Sequence, residues 1–281
     1  MEKIGTPGQK HLVYTCAGDR SNIPHWLQGE RNFDLWVTYY GDQAGRYNEI
    51  AEFYNSRKGK KFPNLHYVYE KWPHVLGQYE AVFVVDDDII MTGSEISHLF
   101  EIRAQYDLWL LQPAFHPQGK ISHPITHMRP WHFMRYTNFV EVTCPLFRKD
   151  KLDEFMVVYN PEKLVGWGID WWFLEILGPH LQRKVAVVDA VSCVNPLDKE
   201  KGEELETDEP QYSKFSRENQ EKLWDDFYAE SLIQSPRRGY KVYSSVSKER
   251  KGRIGQNIQM FLSLASLSFQ QFKWQFMRRI S

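Results

Sequence analysis

Residues 82–90 read V-F-V-V-D-D-D-I-I: four apolar residues run into three consecutive aspartates, and two isoleucines follow. An apolar run bounded by polar residues marks a strand buried on both faces, which needs a covering layer on each side. Three ionised carboxylates at a dry strand end are heavily penalised unless a counter-charge is present. A divalent cation answers that penalty, because hard Mg²⁺ or Mn²⁺ prefers oxygen ligands. In open α/β sheets, ligands bind beyond the carboxyl ends of the strands, where this triad lies. The plain alternative is a solvated acidic turn, and the immediate return to apolar sequence at Ile89 and Ile90 weighs against it.

The flanking sequence alternates between two periodicities. His11–Cys16 and Phe33–Tyr40 read as strands, Tyr47–Ser56 as a helix, Leu65–Tyr69 as a short third strand and Val75–Tyr79 as a helical turn. The Asp-tipped strand comes fourth. Apolar residues at Ile96, Leu99, Phe100 and Ile102 predict a helix over 96–106, and Leu108–Gln112 predicts another buried strand. Phe139–Phe147 reads as strand, Val185–Val194 as a strand pair and Leu152–Tyr159 as helix. Strands alternating with helices imply a Rossmann-type, mostly parallel sheet flanked by helices. Residues 113–136, with four of the 14 prolines and four of the ten histidines, read as a long irregular segment across a cleft.

At 281 residues the chain can form one large α/β domain or two small ones. The residue pattern places a catalytic domain at 1–197, a charged loop and helical extension at 198–253, and an amphipathic helix at 254–281. With 35 basic and 36 acidic residues, nothing pulls the whole chain towards nucleic acid. Three scattered cysteines without a CxxC pair argue against a disulfide scaffold or structural zinc. His116, His123, His127 and His132 lie in a proline-broken stretch without an HExxH pattern, which also argues against zinc. No apolar signal-peptide core and no spanning run appears, so a cytoplasmic location is expected.

Two further stretches carry chemistry. Residues 164–173 read L-V-G-W-G-I-D-W-W-F, where glycines around Trp167 permit a tight turn and close approach of a ligand. Asp170 there is either a helix N-cap or a general base beside apolar rings that raise its proton affinity. Trp167 offers a stacking face for a sugar, and Glu141, Gly168 and Trp171 join it as candidate acceptor contacts. The loop after the first strand supplies Thr15, Ala17, Gly18, Asp19 and Ser21 as candidate donor contacts, with Asp42 and Asp87 nearby. Arg129 and Arg135 are candidates for gripping phosphates, since Arg matches phosphate bidentately.

Taken together, K-W-P at 71–73, V-F-V-V-D-D-D-I-I at 82–90, G-W-G-I-D at 166–170 and V-V-D at 187–189 resemble the GT-A class of glycosyltransferases. Within it they are similar to a plant and bacterial group long described as a domain of unknown function. The resemblance covers roughly residues 10–200. It implies a metal-dependent transferase with Mn²⁺ or Mg²⁺ mostly on Asp88, and Asp86 nearer the ribose or a metal-bound water. It implies a nucleotide-sugar donor, a UDP-sugar foremost, and a saccharide or lipid-linked acceptor. Asp170 falls where inverting relatives carry an acidic base. Many such enzymes place a metal-binding His after the last core strand, where this chain has Asn195, an oxygen ligand weaker than carboxylate. Two other readings compete: a phosphohydrolase with a nucleophilic Asp, and a non-catalytic sugar- or nucleotide-binding adaptor.

The tail has apolar residues at 254, 258, 261, 262, 265, 269, 272, 276 and 280, a single helical stripe. Lys248, Arg250, Lys251 and Arg253 precede it, and Lys273, Arg278 and Arg279 lie near its end. Such a helix suits peripheral contact with the inner face of an anionic membrane, with packing on protein as the alternative.

Overall fold

The computed structural model describes residues 1–166, 168–178, 181–197, 222, 225–226 and 239–248. In chain order the elements are β1 (Glu2–Ile4), β2 (His11–Ala17), α1 (Ile23–Trp26), β3 (Phe33–Tyr39), β4 (Phe53–Ser56), α2 (Lys61–Lys71), α3 (Pro73–Leu76), β5 (Ala81–Val84), α4 (Gly93–Gln105), β6 (Leu110–Phe115), β7 (His132–Thr137), β8 (Leu146–Arg148), α5 (Lys149–Val158), α6 (Ile169–Ile176), β9 (Val185–Cys193) and β10 (Val242–Ser247). Contacts divide the chain into Met1–Val246 and Ser247–Ser281. Apart from its first two residues, the second part lies outside the described residues, as does most of the expected charged loop and helical extension at 198–253.

Among the described residues the strands form one sheet in the order β1-β4-β3-β2-β5-β8-β6-β9-β7-β10. β4, β3, β2 and β5 form a parallel block. β8 runs antiparallel between β5 and β6, and β6 pairs parallel with β9. Side chains alternate along β2: Leu12, Tyr14 and Cys16 enter one apolar cluster, and Val13 and Ala17 enter another on the opposite face. The first cluster takes Phe62, Leu65 and Val68 from α2, Leu152 and Phe155 from α5, and Trp172 and Phe173 from α6. The second takes Ile23 and Trp26 from α1 and Ile96, Leu99 and Phe100 from α4. Both faces are covered, which is why the central strands read as unbroken apolar runs.

Several local expectations are corrected. Tyr47–Ser56 is not a helix. Gly45 and Tyr47 both have positive φ, which breaks any helix there, and Phe53–Ser56 forms β4. Phe53 stacks on Trp36 with ring centroids 5.0 Å apart, and Tyr54 stacks on Tyr39 on the other face. Leu65–Tyr69 is the middle of α2, whose apolar residues 62, 65 and 68 share one helical face; a five-residue window hides that period. The Asp-tipped strand is therefore fifth in chain order, after β4. Within 113–136, β6 runs through Pro113 to Phe115 and β7 starts at His132, so the irregular part is shorter than expected. Between Thr137 and Leu146 the backbone leaves the sheet, where Phe139–Phe147 was expected as strand. β9 is one nine-residue strand.

β7 and β9 are locked by a buried ion pair. Arg135 on β7 donates from Nε to Asp189 Oδ2 (2.8 Å) and from Nη2 to Asp189 Oδ1 (3.0 Å), with side-chain exposures of 4% and 0%. The same guanidinium donates to the carbonyls of Ile125 (2.7 Å) and His127 (2.8 Å). Breaking a buried pair by removing one partner leaves an uncompensated charge, at a cost of about 3–5 kcal/mol. Asp189→Ala is therefore expected to lower the unfolding free energy by that amount, read as a lower denaturant midpoint at an unchanged m-value. A loss below about 1 kcal/mol would show that water reaches Arg135.

Candidate functional site

The Asp86–Asp88 tip follows the end of β5 and is tied down on every side. Val85 N–H donates to Tyr14 (3.0 Å), Asp86 N–H to Thr143 (2.9 Å), and Asn22 N–H to the Asp87 carbonyl (2.7 Å). The Asn22 amide donates to the Asp88 carbonyl and Trp26 Nε1 to that of Ile89. Ile89, Ile90 and Met91 fold inward and are buried. Thr92 then caps α4 by a reciprocal capping box with Glu95, so the tip is fixed at both ends. Ile90 and Val194 exchange two backbone hydrogen bonds of 2.9 and 3.1 Å, which brings the exit of β9, and Asn195 with it, against the base of the tip.

The three carboxylates have different surroundings. Asp86 Oδ1 lies 2.7 Å from Lys61 Nζ, an ammonium that also donates to the carbonyls of Val142 and Thr143 (both 2.8 Å) and Val84 (3.3 Å). Asp87 turns towards β2 and accepts from Gly18 N–H (3.0 Å). Burial, and then the charge of Asp88, push its carboxyl well above the ordinary range. Asn195 is buried and its Oδ1 has no hydrogen-bond partner. The orphaned Asn195 amide oxygen and the carboxylates of the tip are all hard oxygen donors, the chemistry that suits Mg²⁺ or Mn²⁺. Among the described residues no three His, Cys, Asp or Glu side chains cluster with metal-binding geometry.

A second group of carboxylates gathers around residues 141–143. Asp170 is the second residue of α6 and not its N-cap; Gly168, at φ 87°, takes the cap position. The Asp170 carboxylate accepts from Trp171 N–H (3.0 Å). Glu141 is buried, with Oε1 held by the Thr143 hydroxyl (2.8 Å) and Oε2 without a partner. Burial pushes both carboxyls up to about 7; nearby Asp170 and Asp86 add to the rise at Glu141, while N–H donors from Trp171 and Val142 oppose it at Asp170. The Tyr240 phenol is raised by burial and by the charges of Asp170 and Glu141. Its ring stacks on Trp171 (5.9 Å, 21°), and Phe139 and His123 complete the aromatic cluster.

The remaining sequence candidates are placed as follows. Thr15 and Ala17 are fully buried in β2, and Gly18 is packed so closely under Tyr40 that a Cβ would meet its ring at 3.0 Å. Asp19 accepts from the Tyr39 hydroxyl and from Asp42 and Gln43 N–H, so it holds a turn. Ser21 accepts from Ile23 N–H, and Asp42 pairs with Lys58 at 2.7 Å. Arg135 has its guanidinium committed to Asp189 and two carbonyls. Arg129 and His132 line a cavity of about 350 Å³ shared with Tyr240 and Ile125. Trp167 lies outside the described residues. Lys61 and Tyr240 carried no sequence signal: Lys61 is one of three lysines in R-K-G-K-K, and Tyr240 sits in a basic stretch with no motif.

No protein-family model and no curated protein sequence matches the chain. Among solved structures, S. aureus TarS 1–349 in complex with UDP-GlcNAc aligns with a TM-score of 0.51 at 12% identity, over 79% of this chain and 66% of that one. A crystal structure of S. aureus TarS aligns with a TM-score of 0.48 at 13% identity, over 67% of this chain and 37% of that one. This chain thus spans under two thirds of the TarS 1–349 chain and little over a third of the longer one. The likeness is one of fold: the mixed, mostly parallel sheet with flanking helices is GT-A-like.

The raised carboxyls have a cost that can be measured. An unfolded Asp loses its proton near 4, whereas Asp170 in the fold keeps it to about 7. Between those values the native state binds the extra proton, so its stability falls as pH rises through the window. Asp170→Asn removes the titration. Its Tm relative to the unaltered protein is expected to be higher at pH 8 than at pH 5, by about 2–4 °C per kcal/mol of relieved burial cost. An equal difference at both pH values would mean that Asp170 ionises freely.

Proposed function

We propose that the chain is a metal-dependent glycosyltransferase that takes a sugar from a nucleotide-sugar donor, a UDP-sugar in the first instance, and passes it to a saccharide or lipid-linked acceptor. The observation that carries this reading is the Asp86–Asp88 tip at the carboxyl end of β5 in a GT-A-like sheet, braced by Asn22, Lys61 and the exit of β9. The UDP-GlcNAc held by the TarS 1–349 structure supports the donor class.

In this reading Asp86, Asp88 and Asn195 hold Mn²⁺ or Mg²⁺. The bound ion supplies charge neutralisation for the departing nucleoside diphosphate. Lys61 keeps one oxygen of Asp86 fixed, so the acidic tip is pre-shaped. Asp170 takes the proton of the acceptor hydroxyl, which requires its ionised form. Glu141 accepts a hydrogen bond from an acceptor hydroxyl through its free Oε2, and Trp171 provides an apolar wall for a sugar ring. With a single base and no nucleophile assigned, the anomeric centre inverts.

The test is a panel of nucleotide sugars with Mn²⁺, read by thermal stabilisation and by donor hydrolysis. Asp88→Ala is expected to abolish both responses to the donor while the far-UV spectrum stays native. Full turnover by that variant, or in excess EDTA, would remove the metal from the mechanism. Asp170→Asn is expected to cut kcat by about 10²–10⁴ with little change in donor affinity, and wild-type kcat should climb with pH to a plateau above about 7. A product that retains the donor's configuration would contradict the base assignment.

The stripe at 254–281 lies outside the described residues, and no helix among the described residues is long and apolar enough to cross a membrane. Its sequence supports peripheral attachment near a lipid-linked acceptor. Removal of residues 254–281 is expected to abolish flotation on anionic vesicles; undiminished flotation would assign those residues to packing.

A further inference from the structure

Of the three lysines in R-K-G-K-K, only the last turns inward. Lys58 and Lys60 are exposed, whereas the Lys61 side chain, on the first residue of α2, is 10% exposed. Lysine is among the residues least often taken out of water, so this one has strong partners. Its ammonium has three protons and three near acceptors: Asp86 Oδ1 at 2.7 Å and the carbonyls of Val142 and Thr143 at 2.8 Å each. The Thr143 carbonyl also accepts from Asp86 N–H (2.9 Å), so ammonium and carboxylate are referred to the same oxygen. With its protons committed and little surface left, Lys61 is unsuited to grip a phosphate.

The acidic tip therefore carries a resident cation. An ion held by Asp86 and Asp88 shares a carboxylate with the ammonium, and charges that close and partly buried are little screened by salt. Lys61 also cancels part of the negative charge that draws a cation to the tip. A nucleoside diphosphate reverses that balance, because its phosphates bring more negative charge than one ammonium offsets. A purely structural tie has the opposite consequence: its loss would loosen the tip and weaken any cation there. The two roles of Lys61 thus differ in sign.

We infer that Lys61 is a positioning residue that makes cation binding at the tip conditional on the nucleotide: Mn²⁺ alone is held weakly, and the nucleoside diphosphate brings it in. The inference rests on the glycosyltransferase reading for the metal at the tip. It goes beyond that reading in giving the order of binding and the residue that imposes it.

The test is a titration of the full chain with Mn²⁺, free ion being read by electron paramagnetic resonance, with and without UDP. For the unaltered protein, Mn²⁺ alone is expected to bind no tighter than about 0.1 mM, and UDP to tighten it about tenfold or more. Lys61→Met, which keeps the length of the side chain and drops its charge, is expected to tighten Mn²⁺ alone by about tenfold or more. Lys61→Arg keeps the charge and is expected to stay within about threefold of the unaltered protein. Equal or weaker binding of Mn²⁺ alone by Lys61→Met with a native far-UV spectrum would overturn the inference, as would UDP that leaves the affinity of the unaltered protein unchanged. Should Lys61→Met fail to fold, the unaltered protein still decides: binding of Mn²⁺ alone tighter than about 0.1 mM overturns the inference. Indifference of both proteins to Mn²⁺, with and without UDP, would remove the inference and the metal of the glycosyltransferase reading together. Tightening by Lys61→Met in a chain that binds no nucleotide sugar would sink that reading and leave Lys61 as the counter-ion of the tip.

Discussion

The ammonium of Lys61 is the joint on which the carboxyl end of the sheet depends. It sits at the start of α2, largely out of solvent, with four oxygens around it: Asp86 and the carbonyls of Val84, Val142 and Thr143. An ammonium has three protons, so the 3.3 Å contact to Val84 is the weakest of the four. The other three bind together segments that are remote in sequence, namely the acidic tip and the 141–143 crossing. That crossing in turn carries Glu141 and supplies the Val142 N–H that restrains Asp170. A single cation thus sets the spacing between the acidic tip and the raised carboxyls.

Charge placement at the two carboxylate groups follows opposite logics. At the tip, Asp86 has the Lys61 ammonium beside it at 2.7 Å, so a cation faces its carboxylate. Around residues 141–143, burial without a cation favours the protonated form, so Asp170 and Glu141 lie near the working pH. The Asp86 carboxylate is thus matched by a cation, whereas Asp170 and Glu141 are not. The fold spends stability on the second, since a buried carboxyl with an unpartnered oxygen is worse than an apolar residue of the same shape.

Much of the architecture was legible in the residues. The apolar runs of β2, β3, β5 and β9 told of a sheet covered on both faces, and the periodicity at 96–102 told of α4. What failed were short elements. Leu65–Tyr69 has strand-like composition, yet its place in α2 depends on Phe62 packing with it on one face. Phe53–Ser56 became a strand because Trp36 and Tyr39 offered rings on opposite faces, a tertiary effect with no local trace. The site was legible in its acids and not in its supports. Asp86, Asp88 and Asp170 stand in recognisable strings, whereas Lys61, Tyr240 and the partner of Arg135 are defined only by contacts across the sheet. Arg135 shows the hazard: a lone Arg in a cleft segment reads as a phosphate ligand, and its partner lies 54 positions away.

The paired backbone bonds between Ile90 and Val194 also bear on how the molecule comes into being. They join points about a hundred residues apart, so they count among the contacts that chain topology makes slow to form. During synthesis the aspartate triad leaves the ribosome long before the segment that braces it. Until β9 arrives and docks beside β6, the acidic loop has only its contacts to Tyr14, Asn22, Trp26 and the start of α4 among these supports, and Asn195 has no place beside it. The last brace on the acidic loop therefore comes from the segment made last, and it closes only when the far half of the sheet is in place.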